Sequence, residues 1–476
     1  MPATPVRAPR LDRVRVAREF AALMRLALPL IAAQLAVVGT NVVDAMLSGH
    51  LNAHVQAAVT TGAGIWTLAI LLGMGTMLAV PPSVAQLDGA GRRHEVGALL
   101  RQALWIALLL GVLLAFAVRR AGVLLDWVGV VPDLRSDVVA FLEAISWGAP
   151  ALTVYFALRG LSEGLSLPRP SMVFSLLGLC LLAPLGYVLM YGRLGMAPMG
   201  ARGSGMATAV VLWVEMLGFA VYVLRHPNYR GLGLHDRFDP PKPKVIGELL
   251  QLGAPMAFTL LMEGGLFVAV ALAIATLGDT VAAAHQIALN VASVAFMVPL
   301  GTAMAITIRV GHAAGRRDAR AVRYAAGCGV SVAAAAQVLS ASLMLGMPQR
   351  IAGLYSHDAA VVGLAAQLMM LAGLFQIVDG IQVASNGALR GLKDTRVPML
   401  ISAFAYWGVG MPVGLWLAFH AHLGARGMWL GLVAGLSMAA LLLSSRLVIN
   451  IRTGRWLRAV PEPAGRSADD PAAANR

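Results

Sequence analysis

Gly200-Ala201-Arg202-Gly203 heads one long apolar segment and returns as Gly424-Ala425-Arg426-Gly427 at the head of another. Ala90-Gly91-Arg92-Arg93 likewise returns as Ala314-Gly315-Arg316-Arg317, and both returns lie 224 residues downstream. Weaker echoes keep nearly the same spacing: Leu26-Ala27-Leu28-Pro29 at Leu252-Gly253-Ala254-Pro255, and Gly164-Leu165 with Arg169 and Met172 at Gly391-Leu392 with Arg396 and Met399. A duplication of half the chain inside a very apolar sequence predicts a protein built from two similar halves around a central site, the construction used by transporters.

Hydrophobic residues make up 58% of the 476 and charged residues 13%, against roughly 25% charged in soluble domains. Runs such as 280–308, 324–349 and 397–425 carry no Asp, Glu, Lys or Arg. About 20 apolar residues at 1.5 Å rise span a hydrocarbon core of about 30 Å, and these runs are too long and too uniformly apolar for buried soluble helices. The alternating segments of about ten residues that a membrane barrel needs are absent. The expected fold is therefore an all-α integral membrane protein of twelve transmembrane helices in two parallel six-helix repeats. Its spans fall near 22–46, 57–80, 98–118, 138–160, 171–192, 203–224, 247–276, 281–307, 321–347, 360–388, 397–419 and 427–449. The matching organisation is a tail over 1–18, one six-helix lobe over 19–224, a Pro-rich linker over 225–246, a second lobe over 247–450 and a tail over 451–476. Residues 1–18 are expected to lie disordered on the inner leaflet, and Ala459–Arg476 to be a tail with no packing pattern.

Charge orients the spans. With the N-terminus in the cytoplasm, 30 of the 37 basic residues fall on the inner side, as the lysine and arginine excess of cytoplasmic loops requires. The expectation is a multi-pass protein of a bacterial inner membrane with both termini cytoplasmic. The net charge of +14 then reflects topology and attraction to anionic membrane lipids rather than nucleic-acid binding. Cys180 and Cys328 both fall inside spans and read as two buried packing thiols rather than a disulfide. Pro29, Pro184, Pro255, Pro299, Pro348 and Pro412 read as lying within spans, where neighbours can satisfy the freed backbone groups.

A carboxylate at the bilayer centre costs about 2.5–3.5 kcal/mol on insertion scales and needs a reason. Four acids raise the question: Asp44, Glu215, Glu263 and Asp379. Asp44 follows Thr40 and Asn41; Glu263 adjoins Gly264 and Gly265, with Phe267 one turn on; Asp379 follows Phe375 and Gln376 and precedes Gln382 and Asn386 on one helix. Glu215 has only apolar neighbours. Desolvation disfavours the ionised form of such a group, so it either stays a hydrogen-bonded neutral acid or pairs with a proton, a hard monovalent cation or a cationic ligand. Competition of two cations for one carboxylate is enough for exchange. At an offset of about 226, the spacing of the weaker echoes, Glu263 falls opposite Val37, Asp379 opposite Thr153 and Asp44 opposite Val270, so the acids are not duplicated with the scaffold. His285, Gln286 and Asn290 add polar groups within two turns of span 8, suited either to core hydrogen bonding or to the transport path.

Several motifs together carry a family resemblance: Val42-Val43-Asp44 with Gly49, Val84-Ala85-Gln86-Leu87-Asp88-Gly89-Ala90-Gly91-Arg92, Ala284-His285-Gln286-Ile287-Ala288-Leu289-Asn290, Ile308-Arg309-Val310-Gly311-His312, Val378-Asp379-Gly380-Ile381-Gln382-Val383 and Leu389-Arg390-Gly391-Leu392-Lys393-Asp394. Over roughly residues 20–450 the chain resembles the multidrug and toxic compound extrusion (MATE) family in its NorM-like bacterial branch. The resemblance implies two six-helix lobes around a V-shaped cleft that opens outward, and export of cationic, aromatic drugs by antiport with Na⁺ or H⁺. It places Glu263 and Asp379 at the cation-coupling acids, with Na⁺ as their metal, Asp44 at the acid of the N-terminal lobe, and Phe375 beside the cation. Asn41, Gln382, Asn290, His285 and Gln286 are the further expected cavity residues. No cofactor is expected beyond the transported ion, no enzymatic activity is expected, and the protein is expected to act as a monomer.

One departure concerns span 5. Relatives tend to carry asparagines around its proline, whereas Leu181-Leu182-Ala183-Pro184-Leu185-Gly186 offers Asp44 no polar support. Two other functions compete. A lipid-linked oligosaccharide flippase of the same superfamily would need a basic cavity, and a major facilitator antiporter would carry an Asp-Arg pair in its basic turns; neither signal is present.

Overall fold

The computed structural model describes residues 13–123, 125, 131–234 and 239–460. Residues 1–12 and 461–476 of the two expected tails, and 235–238 of the linker, lie outside the described residues. The helices are α1 (Arg13–Leu51), α2 (Ala53–Gly89), α3 (Val96–Arg120), α4 (two segments, Pro132–Ser146 and Ala149–Gly164, bent by 45°), α5 (Arg169–Tyr191), α6 (Gly200–Arg225), α7 (Pro243–Ala275), α8 (Asp279–Gly315), α9 (Ala319–Gly346), α10 (Ala359–Gly391), α11 (Arg396–His420) and α12 (Ala425–Thr453). Eleven are individually long and apolar enough to cross a bilayer, and the bent α4 makes twelve. No strand occurs among the described residues. Helices are what hydrocarbon demands, because they pair every backbone N–H and C=O within the segment. Their outward faces stay apolar: Leu109, Phe116, Leu272, Leu339 and Leu441 are all more than 60% exposed, which suits acyl chains and not water.

Three details differ from the sequence reading. The helix α1 begins at Arg13, inside the stretch expected to be a disordered tail, because its first turns are anchored. Arg15 meets Asp318 at 3.4 Å and stacks 5.0 Å from the Tyr324 ring centroid, and Glu19 pairs with Arg309 at 2.7 Å. Pro348 opens the separate short helix Pro348–Gly353 instead of lying inside a span, at a position where a missing N–H costs nothing. Cys180 is exposed on α5, while Cys328 is half-buried; both are free. The remaining prolines do sit inside helices, and Pro412 lies between two π-helical stretches of α11, Phe404–Gly410 and Trp416–His420.

The linker is strapped down. Asp239, 4% exposed, receives Arg101 of α3 through two hydrogen bonds of 2.9 and 2.7 Å. Gln102 donates to the Pro240 carbonyl and accepts from the Lys242 N–H, and Trp105 donates to the Asp239 carbonyl.

Buried side chains collect in two large clusters, one centred on Trp66, Phe141 and Phe219 of the first half and one on Phe375, Tyr406 and Trp429 of the second. A third cluster joins Leu23, Leu26 and Leu30 of α1 to Ile306, Val322 and Leu389 of the second half. The opening helix of each half thus reaches across: α1 packs on α8, and α7 packs on α2.

The halves close on each other at the basic end. Gln86 of α2 donates to the carbonyl of Gly391 at the end of α10 (2.9 Å), and His312 of α8 donates to the carbonyl of Gly164 at the end of α4 (2.9 Å). Gly164 and Gly391 are repeat counterparts, so the two bonds are nearly reciprocal. Only glycine fits the crossing: a Cβ at Gly89 would strike the His312 carbonyl, and one at Gly315 would strike the Gln86 carbonyl. Gly315→Ala is expected to cost about 1–3 kcal/mol by overpacking, seen as a lower thermal midpoint in detergent, whereas Gly363→Ala, with open space at its Cβ position, leaves the midpoint unchanged or raised.

Candidate cation and substrate cavity

Glu263 and Phe267 stand one turn apart on α7, and Phe375 and Asp379 one turn apart on α10, so each helix presents a ring and a carboxyl on one face. These four side chains line a single cavity of about 170 Å³ together with Leu289, Ala292, Ser293 and Phe296 of α8 and Trp429 of α12. Phe375 is the hinge of an aromatic wall. Its ring lies 6.1 Å from Phe267 at 70° and 5.9 Å from Trp429 at 76°, the edge-to-face arrangement that aromatic quadrupoles favour. Trp429, fully buried, donates its indole N–H to His285 Nδ1 at 3.2 Å.

Asp379 is 2% exposed, and its Oδ2 has no hydrogen-bond partner among the described residues. Glu263 is half-buried. No basic side chain lines the cavity among the described residues. Arg390, buried outside this lining, acts electrostatically on Glu263 but not on Asp379; two carboxyls facing one small space, one of them with no positive group acting on it, do not both ionise cheaply, so a proton or a cation must neutralise them. The Ser293 hydroxyl is a further oxygen at the cavity wall. Among the described residues no third acid, histidine or cysteine joins to make a ready metal cluster.

The neighbouring glutamines lock α10 in rotation. Gln376 donates to the Ala292 carbonyl of α8 at 2.8 Å and accepts from Gln337 of α9. Gln382 donates to the Tyr406 hydroxyl of α11 at 2.8 Å. Both glutamines are almost fully buried, and with bonds to three different helices they fix where Asp379 points.

Of the residues expected at the site, Glu263, Asp379 and Phe375 come together. His285 stands behind the wall, touching it through Trp429. Gln382 is buried outside the cavity against α11. Gln286 and Asn290 lie on an exposed face of α8, 3.3 Å apart, and Asn41 is exposed on α1. Asp44 lies in the other half, and its polar support comes from α6 instead of α5: Ser204, fully buried, donates to Asp44 Oδ1 at 3.1 Å. Glu215, 8% exposed, fits because Gly178 of α5 leaves room for its carboxyl.

The sequence reading missed Trp429, Phe296 and Tyr406, because an aromatic in a membrane helix is ordinary and only contacts with other helices single these three out. Arg159, near the C-terminal end of α4, is a further buried charge that the sequence reading did not single out. Arg159 is 5% exposed, meets Glu163 at 2.5 Å and donates to Gln34 at 2.8 Å. The i, i+4 spacing of the acid and the base was the available signal.

Residues 29–188 and 255–416 match the MatE family, once in each half. The chain is 47% identical over 421 residues to the probable multidrug resistance protein NorM of Xanthomonas campestris pv. campestris, covering 88% of this chain and 92% of that one. It is 42% identical over 457 residues to the multidrug resistance protein PmpM of Pseudomonas aeruginosa, covering 94% of each. Among solved structures, the eukaryotic MATE transporter AtDTX14 is similar at a TM-score of 0.86 and 19% identity, covering 94% of this chain and all of that one. An outward-facing multidrug resistance MATE family transporter of the MOP superfamily is similar at 0.85 and 18% identity, covering 94% and 99%. At these identities the structural likeness is one of fold.

Trp429 carries much of the wall. Trp429→Ala is expected to cost about 3–5 kcal/mol, read as a lower thermal midpoint in detergent, and Trp429→Phe, which keeps ring contacts and loses only the bond to His285, costs about 1–3 kcal/mol.

Proposed function

This chain belongs to the MatE family, and from that membership together with the two acids sharing one cavity we propose that it is a NorM-like multidrug efflux transporter that exports cationic, aromatic compounds by antiport with Na⁺ or H⁺. The observation that carries the reading is the pairing of Glu263 and Asp379, from two helices, across a small aromatic-walled space with no basic side chain. A drug cation gains carboxylate attraction and ring faces there. An incoming proton or sodium ion removes that attraction by neutralising the same oxygens, so the two occupants exclude one another. Antiport requires nothing more at the binding step than this coupling of two affinities.

Release and reloading then need the cavity to face each side in turn. The closed basic end, with Gln86 on Gly391 and His312 on Gly164, suits a state open toward the opposite side. We place that basic end in the cytoplasm of a bacterial inner membrane on the charge asymmetry of the loops. NorM-like relatedness favours Na⁺ as the coupling ion, and the Ser293 hydroxyl offers a neutral oxygen to it. Asp44, with a hydrogen bond from Ser204 and no place in the cavity, serves the N-terminal half instead of the exchange itself. The flippase alternative wants a basic cavity for a pyrophosphate, and the lining here is acidic and aromatic.

Asp379→Asn and Glu263→Gln are each expected to reduce ethidium efflux from cells by roughly 5–150-fold, the range of a coupling energy of about 1–3 kcal/mol, at unchanged membrane abundance. Wild-type efflux in both variants would overturn the reading. In inverted vesicles a sodium gradient alone is expected to drive drug movement; drive by a pH gradient alone would reassign the ion to H⁺ and leave the carboxylate exchange intact.

A further inference from the structure

At the basic end, α9 and α12 frame two adjoining cavities that the transport mechanism does not use. The first, about 360 Å³, lies among Ala319, Arg323, Arg452 and Trp456. The second, about 320 Å³, shares Arg323 and Arg452 with it and continues between the two helices past Gly327, Val330 and Leu447. A polar mouth therefore opens into an apolar cleft. From Ala319 to Val330 the helix rises about 16 Å, close to half of a hydrocarbon core of about 30 Å.

The mouth is positive and has a donor to spare. Arg323 and Arg452 are exposed, and two acids beside them among the described residues are engaged elsewhere: Asp318, next to the start of α9, with Arg15 and the first turn of that helix, and Asp394 with Arg446 and Asn450 of α12. Trp456 is 2% exposed, and its indole N–H has no partner among the described residues. A buried donor without an acceptor costs free energy that a bound oxygen would return. The cleft above is open for a structural reason: nothing lies within 4 Å of where a Cβ on Gly327 would sit.

We propose that this groove is a binding site for an anionic phospholipid, whose phosphate sits between Arg323 and Arg452 and accepts from the Trp456 N–H while one acyl chain lies in the cleft beside Gly327. Two arginines at a membrane surface select an anionic headgroup over a zwitterionic one, and the cleft has the length of one leaflet. The inference rests on the basic end lying at a leaflet surface; it does not depend on which ion drives transport.

Native mass spectrometry of the purified full-length protein, equilibrated with mixed phosphatidylglycerol and phosphatidylcholine, tests it. The wild type is expected to retain phosphatidylglycerol preferentially. Arg323→Gln with Arg452→Gln is expected to lower that retention by roughly fivefold for each arginine. Gly327→Leu, which fills the cleft without altering charge at a position where leucine favours the helix, is expected to lower retention of the same lipid while the thermal midpoint holds. Equal retention of the two lipids, or retention unchanged in the double variant or in Gly327→Leu, would overturn the proposal. So would displacement of the lipid by excess inorganic phosphate, which marks a free-anion site. Phosphatidylglycerol that binds only after residues 461–476 are removed would overturn it too, because the chain's own tail would then be the occupant. Ethidium efflux by the same variants separates this failure from that of the transport reading, since none of these residues touches the Glu263–Asp379 cavity.

Discussion

Two helices come into backbone contact only where neither carries a side chain. At the basic end α2 and α8 cross with Gly89 and Gly315 against each other's carbonyls, and this crossing sets how the halves are joined. Lipid supplies no hydrophobic drive for one helix to leave acyl chains for another, so small residues and buried hydrogen bonds must hold such a contact. Here the glycines bring the backbones together, and Gln86 and His312 then reach across to the last carbonyls of α10 and α4. The bonds are short because the glycines permit it, and they bridge helix ends whose final carbonyls have no partner of their own.

Duplication built this frame twice and left the paired acids in one copy. Val37 and Thr153 stand at the repeat positions of Glu263 and Asp379, so the first half has no counterpart of the acidic cavity. Among what it buries, Arg159 is neutralised in place by Glu163 and held by Gln34, while Asp44 takes a hydrogen bond from Ser204. An ion pair such as Arg159–Glu163 is inert toward a mobile cation. Asp379 Oδ2, with no partner, is the contrast, and the proposed exchange depends on that difference between a satisfied carboxyl and an unsatisfied one.

The fold was legible in the sequence because hydrocarbon permits so few solutions. Span count, repeat offset and span order follow from charge-free runs of about 20 residues and from the returning Gly-Ala-Arg-Gly. The helix ends were not legible to the same degree: α1 starts at Arg13 because Asp318 and Tyr324, some 300 residues away, hold Arg15. In the site, Glu263, Asp379 and Phe375 stood out because a carboxyl at membrane depth is expensive and rings lie one turn from both acids. Trp429 and Tyr406 did not, since an aromatic in an apolar helix gives no signal until its neighbours on other helices are known. Asn41, Gln286 and Asn290 illustrate the opposite case: polarity within a span marks a face that is not lipid, and the structure puts all three on exposed surface outside the acidic cavity.

The cavity and the closed end are built on the same pair of helices, and this is what gives the proposed exchange a mechanical consequence. The helix α8 lines the cavity with Leu289, Ala292, Ser293 and Phe296 and ends in Gly311–Gly315 at the crossing; α10 carries Phe375 and Asp379 and ends at Gly391. About 18 Å of continuous helix, at 1.5 Å per residue, separates Asp379 from Gly391. Gln376 ties the two helices together directly beside the cavity, through the Ala292 carbonyl. In the proposed exchange a cation held between the carboxyls would draw α7 toward α10, and a turn of α10 would carry α8 with it through Gln376. The closed end is the far end of the same two helices, so its bonds to Gly391 and from His312 would take the strain of such a turn. A site placed on other helices could bind the same ion without moving the crossing at all.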